Sequence, residues 1–204
     1  MDREGECGEI MGLVTLGSKS PRRYELLKKL GVDIVVKPPN IEEICDENLS
    51  VQENAIKITL DKLNSVRENN PNDEIILTAD TFITLDNKIY GKPKNRVEAF
   101  NMITKFSGKT HQVLTGVAIY SKELDKTVTE LDITSVKFKN LDKKTVDYYL
   151  NFNEWQDAAG AYQIQNMGEI LIDYINGSYS SVMGLPISRI YGMFVSLNFI
   201  NPVI

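Results

Sequence analysis

Leu13-Val-Thr-Leu-Gly-Ser-Lys-Ser-Pro-Arg-Arg-Tyr-Glu-Leu-Leu27 is the stretch from which the fold can be worked outward. Leu13 to Leu16 form a short apolar run ahead of Gly17, the pattern of a buried strand. Ser20 stands where a helix N-cap belongs, and Pro21 takes the first helical position, where its missing N–H costs nothing. Tyr24, Leu27 and the pair Leu26 and Leu30 fall on roughly one face, and Gly31 supplies a left-handed stop. The spacing therefore predicts a strand, a hydroxyl-rich turn and a helix with Arg22 and Arg23 in its first turn. Unpaired N–H groups, the positive end of the helix dipole and two guanidinium forks converge there, an anion site suited to a polyphosphate. The plainer alternative is a surface helix that happens to begin with two arginines. Basic residues at a helix N-terminus oppose the dipole, so they need an anion to justify them.

Further along, Val32 to Val36 reads as a second strand, broken by Pro38 and Pro39. Asn40 to Glu47 is an acidic loop, and Ser50-Val-Gln-Glu53 is a capping box opening a helix to about Val66. Ile56, Leu60 and Leu63 line one face of that helix, with Lys62 on another, free to snorkel toward water. Glu74 to Leu85 is the most strand-like run, and Asp86-Asn87 suits a tight hairpin returning through Lys88 to Tyr90. Asn95 caps a helix carrying Ala99, Met102, Ile103 and Phe106, stopped by Gly108. Strands are expected at 112–121 and 127–138, then a helix from Asp142 to about Leu150. A strand or hairpin at Glu169–Ile175, a loop at Gly177–Gly184 and a helix opened by Pro186 complete the chain. Ile187, Ile190, Tyr191 and Phe194 form the stripe of that last helix. Such mixing of strands and helices predicts an α/β fold with a mixed, twisted central sheet flanked by helices.

The 204 residues suffice for one domain, read as residues 12–204 behind a disordered extension or upstream start at residues 1–11. With 42% hydrophobic and 25% charged residues, the composition is that of an ordinary globular protein. A formal net charge of −5 argues against nucleic acid or an anionic membrane as partner, so an anionic ligand must meet a local cluster of positive charge. Cys7 and Cys45 lack metal-ligand spacing and read as reduced thiols in a cytoplasmic protein. No apolar run approaches the ~18–20 residues of a membrane span.

Asp80 is the sharpest single signal, because it interrupts an apolar strand on both sides. An ionised carboxylate there is costly unless it is paired, metal-bound or facing a cleft at the end of the sheet. His111, the only histidine, has no Ser or Cys in a nucleophile setting beside it and reads as structural. Trp155 and Gln156 precede a glycine-bearing block and are candidates to shape a base pocket.

Gly17-Ser-Lys-Ser-Pro-Arg-Arg23 resembles the S-x-S-P-R-R signature of the Maf family of nucleoside triphosphate pyrophosphatases. The resemblance continues in family order through Asn40-Ile-Glu-Glu43, Ala79-Asp-Thr81, Gly91-Lys-Pro93, Ser107-Gly-Lys-Thr-His111 and Thr115-Gly116. It ends with Ala159-Gly-Ala-Tyr-Gln-Ile-Gln165 and Gly177-Ser-Tyr-Ser-Ser-Val-Met-Gly-Leu-Pro186. It implies two lobes around a cleft and hydrolysis of a nucleoside triphosphate to the monophosphate and pyrophosphate. It also implies catalytic roles for Asp80, Glu43, Lys62 and Lys92. Asp80 is left with two readings, general base or metal ligand. Asp80 and Glu43 are the implied ligands of a divalent cation, Mg2+ or Mn2+. Ser18, Arg22, Arg23, Thr81 and Gln165 are the implied substrate-binding residues, and Arg22, Thr81 and Gln165 are those associated with dTTP and UTP. A homodimer is compatible with the resemblance. The family's frequent Asp-Lys-Ala-Gly is Asp157-Ala158-Ala159-Gly160 here, so one lysine is missing. Two alternatives stand beside this reading: a nucleotide-binding regulator of cell division without significant catalysis, and a pyrophosphatase directed to purine or 7-methyl-GTP substrates.

Overall fold

Residues 12–200 are described by the computed structural model; the extension expected at residues 1–11 and Cys7 lie outside the described residues. The apolar run folds as strand β1 (Leu13–Leu16), followed by helix α1 (Pro21–Lys28) and strand β2 (Asp33–Val36). Ser20 is extended and Pro21 opens the helix, while Gly31 closes it at φ 71°. Strand β2 runs parallel to β1, with Leu13 opposite Asp33.

Helix α2 (Val51–Asn69) is held at its start by both bonds of the capping box, Glu53 N to Ser50 Oγ and Ser50 N to Glu53 Oε2. Its buried face differs from the expected one. Ala55, Ile58, Thr59, Lys62, Leu63 and Val66 are buried, whereas Ile56 and Leu60 are half-exposed. Hydrophobicity alone phased the helix wrongly, because the strand beneath presents Thr78 and Asp80 to Thr59 and Lys62. Lys62 therefore points inward rather than snorkelling to water.

Strand β3 (Ile75–Leu85) turns through Asp86 and Asn87, both at positive φ, into β4 (Lys88–Tyr90). Helix α3 (Arg96–Phe106) is capped by the Asn95 side chain. Strands β5 (Thr110–Ser121) and β6 (Lys126–Phe138) form a long antiparallel pair, and Asp142 caps helix α4 (Lys143–Leu150). No local hairpin forms at Glu169–Ile175. A 3-10 turn at Met167–Leu171 delivers one strand, β7 (Ile172–Asn176), to the distant edge of β6. The stretch read as a loop at Gly177–Gly184 contains a helical turn, α5 (Tyr179–Val182), capped by Ser178 Oγ. Helix α6 (Ile187–Ser196) buries Ile190, Met193 and Phe194; Tyr191, expected in that stripe, is exposed.

The sheet runs β2-β1-β3-β5-β6-β7, with β4 also paired to β3. Strand β5 lines one edge of β3 throughout, so β1 and β4 share the other. On that shared edge β1 reaches only Leu77 and β4 begins at Ile83, leaving Thr78–Phe82 without a strand neighbour among the described residues. Two apolar cores occupy the same face of the long strands. Leu77, Ala79, Val117 and Ile119 pack with α1 and α6, while Ile83, Leu85, Val113 and Phe138 pack with α3 and α4. Helix α2 covers the opposite face. The result is a mixed, twisted α/β sheet with two lobes whose boundary falls at the open stretch of β3.

Candidate active site

Asp80 stands in the middle of that open stretch, and α2 brings Lys62 over it. The Lys62 Nζ lies 2.5 Å from Asp80 Oδ1 and 2.7 Å from Glu43 Oε1. Asp80 and Lys62 are only 7% and 5% exposed, so neither charge could be left there alone at low cost. Glu43 reaches in from the acidic loop and keeps more than half of its side chain in solvent. The close approach of α2 depends on Gly116, the cross-strand partner of Asp80. A Cβ at Gly116 would lie 2.7 Å from Thr59 Oγ1 and 2.9 Å from the Ala55 carbonyl. Buried Asn54, one turn into α2, ties the acidic loop down. Its Oδ1 accepts from Asp46 N, and its Nδ2 donates to the carbonyls of Asp46 and Leu49.

A second group lies on the other face of β3. Arg23 Nε donates to the Gly184 carbonyl at 2.9 Å, Nη1 to Ser18 Oγ at 3.3 Å and Nη2 to Thr81 Oγ1 at 3.2 Å. Burial draws the Arg23 guanidinium below its ordinary pKa, and the nearby charge of Asp80 opposes that fall. Arg23 is thus largely committed to the protein, where the sequence suggested a second free fork beside Arg22. Ser18 Oγ also accepts from Ser20 N, and the Ser20 side chain makes no capping bond, so the first turn of α1 keeps N–H groups available.

Arg22 and Lys92 form a third group, meeting at the exposed Asp157 through 3.5 Å contacts to its carbonyl and carboxylate. Contacts that long and exposed are readily exchanged for a polyanion. Burial lowers the Arg22 pKa, with Asp157 opposing it. Gln165 joins none of the three groups: among the described residues its side-chain hydrogen bond runs to Gln163 Oε1. Trp155 packs in the second core and donates to the Leu150 carbonyl. His111 is structural as expected. It stacks on Phe106, its Nε2 lies 2.8 Å from Tyr162 Oη, and burial pulls its pKa down to about 3.

Among the described residues no group of three or more His, Cys, Asp and Glu gathers into a metal cage. Glu43 and Asp80 nevertheless converge on one cation, the Lys62 ammonium. One buried carboxylate at an open strand edge and one solvent-exposed carboxylate suit a hard divalent ion whose other ligands are water and phosphate.

The profile of one protein family, described as Maf-like protein, matches residues 13–197. The chain belongs to the Maf-like family. Among curated relatives, a dTTP/UTP pyrophosphatase of Thermosipho africanus is 44% identical over 87% of this chain and 90% of that protein. Those of Bacillus cereus and Pyrococcus furiosus are each 44% identical, over 90% and 87% of this chain and 89% and 91% of their own lengths. Among solved structures, a HAM1 protein from Coxiella burnetii aligns with a TM-score of 0.49 at 15% identity, over 90% of this chain and 98% of that one. No helix among the described residues is long and apolar enough to cross a membrane.

Three residues that support these groups carry little individual signal in the sequence: Asn54, Thr115 and Gly184. Asn54 carried a faint signal, since asparagine is a poor helix former one turn inside a helix. Gly184 sits at φ 107°, and a Cβ there would press on Arg23 Nε and Thr81 Oγ1 at 3.4 Å. Thr115 carried no signal beyond its place in a family block.

Proposed function

We propose that this Maf-like protein hydrolyses nucleoside triphosphates between the α and β phosphates, preferring dTTP and UTP, and releases the monophosphate and pyrophosphate. The observation that carries the reading is the buried Asp80 carboxylate, paired to Lys62 at the open edge of β3. It is supported by the 44% identity to proteins named dTTP/UTP pyrophosphatase. Arg22, Lys92 and the uncapped first turn of α1 offer positive charge and N–H donors to the triphosphate, with Ser18 shaping the turn. Asp80 takes a proton from the attacking water as its oxygen bonds to the α phosphorus and the bond to the bridging oxygen breaks, so that pyrophosphate leaves. Lys62 holds Asp80 and Glu43 at one place. Glu43 and Asp80 would hold Mg2+ or Mn2+, which supplies charge neutralisation for the leaving pyrophosphate. In this reading the enzyme acts in the cytoplasm on free nucleotides, as a monomer or a homodimer.

A panel of nucleoside triphosphates assayed for pyrophosphate release with Mg2+ or Mn2+ tests the reading. dTTP and UTP should lead, and Asp80→Asn should lose about 10²–10⁴ in kcat while keeping its nucleotide affinity. A panel led by a purine nucleotide removes the specificity. Equal turnover by Asp80→Asn removes the catalytic assignment, and binding without turnover makes the protein a regulator.

A further inference from the structure

The face of the sheet that carries both apolar cores is interrupted by a row of polar side chains. In β3, Thr81 lies between Ala79 of one core and Ile83 of the other; in β5, its cross-strand partner Thr115 lies between Val117 and Val113. Thr115 is fully buried. A threonine hydroxyl has one hydrogen to give. Thr115 Oγ1 gives its hydrogen to the carbonyl of Ser181 at 3.0 Å, an oxygen that can only accept. The 3.1 Å contact between the two threonines must then run from Thr81 to Thr115. Thr81 is left with lone pairs, one of which takes Nη2 of Arg23. The chain has a single direction, from Arg23 through Thr81 and Thr115 to the Ser181 carbonyl. Arg23 also holds the carbonyl of Gly184, so the segment from Ser181 to Gly184 is pinned at both ends by the same network.

We propose that Thr115 is a positioning residue that fixes the direction of this chain, so that Thr81 influences nucleotide binding by orienting Arg23 and the segment Ser181–Gly184, with no hydrogen to offer a substrate. The proposal rests on the reading of the protein as a nucleoside triphosphate pyrophosphatase and adds to it how a buried seam shapes the pocket. Asp80 and Lys62 lie on the opposite face of β3, so the chain bears on binding rather than on the chemical step.

The test compares Thr115→Val, which keeps the shape and removes the hydroxyl, with Thr115→Ser, which restores it. Both are measured for kcat and KM with dTTP and for Kd with a non-hydrolysable dTTP analogue, alongside thermal melts. Thr115→Val should raise KM and Kd on the order of tenfold with kcat within about twofold of wild type, and Thr115→Ser should return both to within about twofold. Thr81→Val should match Thr115→Val, and the double variant should be no weaker than the worse single one, because the chain is already cut. Unchanged KM in Thr115→Val, a fall in kcat alone, no rescue by Thr115→Ser, or additive effects in the double variant would each overturn it. If Thr115→Val does not fold, Thr81→Val against Thr81→Ser decides by the same KM and Kd criteria. Wild-type protein that releases no pyrophosphate removes the functional reading, while the analogue Kd values still report on the chain.

Discussion

Lys62 is the residue on which two charges depend. Removing it would leave Asp80 buried and Glu43 unneutralised beside it, a change that typically costs about 3–5 kcal/mol. Lys62→Met should therefore lower the urea midpoint markedly as well as abolish turnover, whereas Asp80→Asn, which leaves Lys62 paired to Glu43, should cost much less stability. Equal midpoints for the two variants would show that the pair is not the electrostatic unit described above. The two arginines should separate in the same way. Arg22→Ala should raise KM roughly tenfold to a hundredfold at constant Tm, from about 1.5–3 kcal/mol of lost charge-assisted contact. Arg23→Ala should lower Tm as well, because three internal acceptors lose their donor. Asp80 was legible in the sequence because a charge inside an apolar strand is conspicuous. Lys62 was legible only through the family resemblance, because a lysine on a helix is usually solvated, and Thr115 looked like any β-branched residue suited to a strand.

At the level of elements, α2 works as the arm that carries Lys62 over the sheet, and its distance is set by Gly116. Gly116→Ala should push α2 outward, destabilise the protein by about 1–3 kcal/mol through overpacking, and reduce kcat by separating Lys62 from Asp80. A variant with wild-type stability and kcat would show that the helix can shift without consequence. Elements whose signals are local were readable in advance: the Ser50 capping box, the Asp86-Asn87 turn and the Pro21 start all depend on residues within one turn of chain. The sequence left β7 open between a strand and a hairpin because its partner, β6, lies more than thirty residues earlier, and short apolar runs do not announce distant partners. Helix α2 was misphased for a related reason. Its buried face is chosen by what the sheet presents, and the sheet presents Thr78 and Asp80.

Across the whole molecule, the buried His111 links stability to pH. Its folded pKa of about 3 lies below the ordinary 6.5, so the unfolded chain takes up the proton first. Stability should then decline as pH falls below about 6.5, by up to about 1.4 kcal/mol per unit for this one group, until the folded pKa is reached. Urea midpoints at pH 7, 6 and 5 would show the decline, and His111→Leu should flatten it; an unchanged slope would place the proton uptake elsewhere. The two cores also share strands, which sets an arithmetic for chain length. From Ala79 to Ile83 and from Val113 to Val117 the count is four residues, an even number, so both ends face the same way. Deleting one residue between them would turn one core's contribution outward along the rest of the strand. Deleting two would preserve the faces but remove Asp80, Thr81 or their partners. Added residues should be tolerated at the hairpin tips that end these strands, Asp86-Asn87 and Lys122–Asp125, because there they alter neither count.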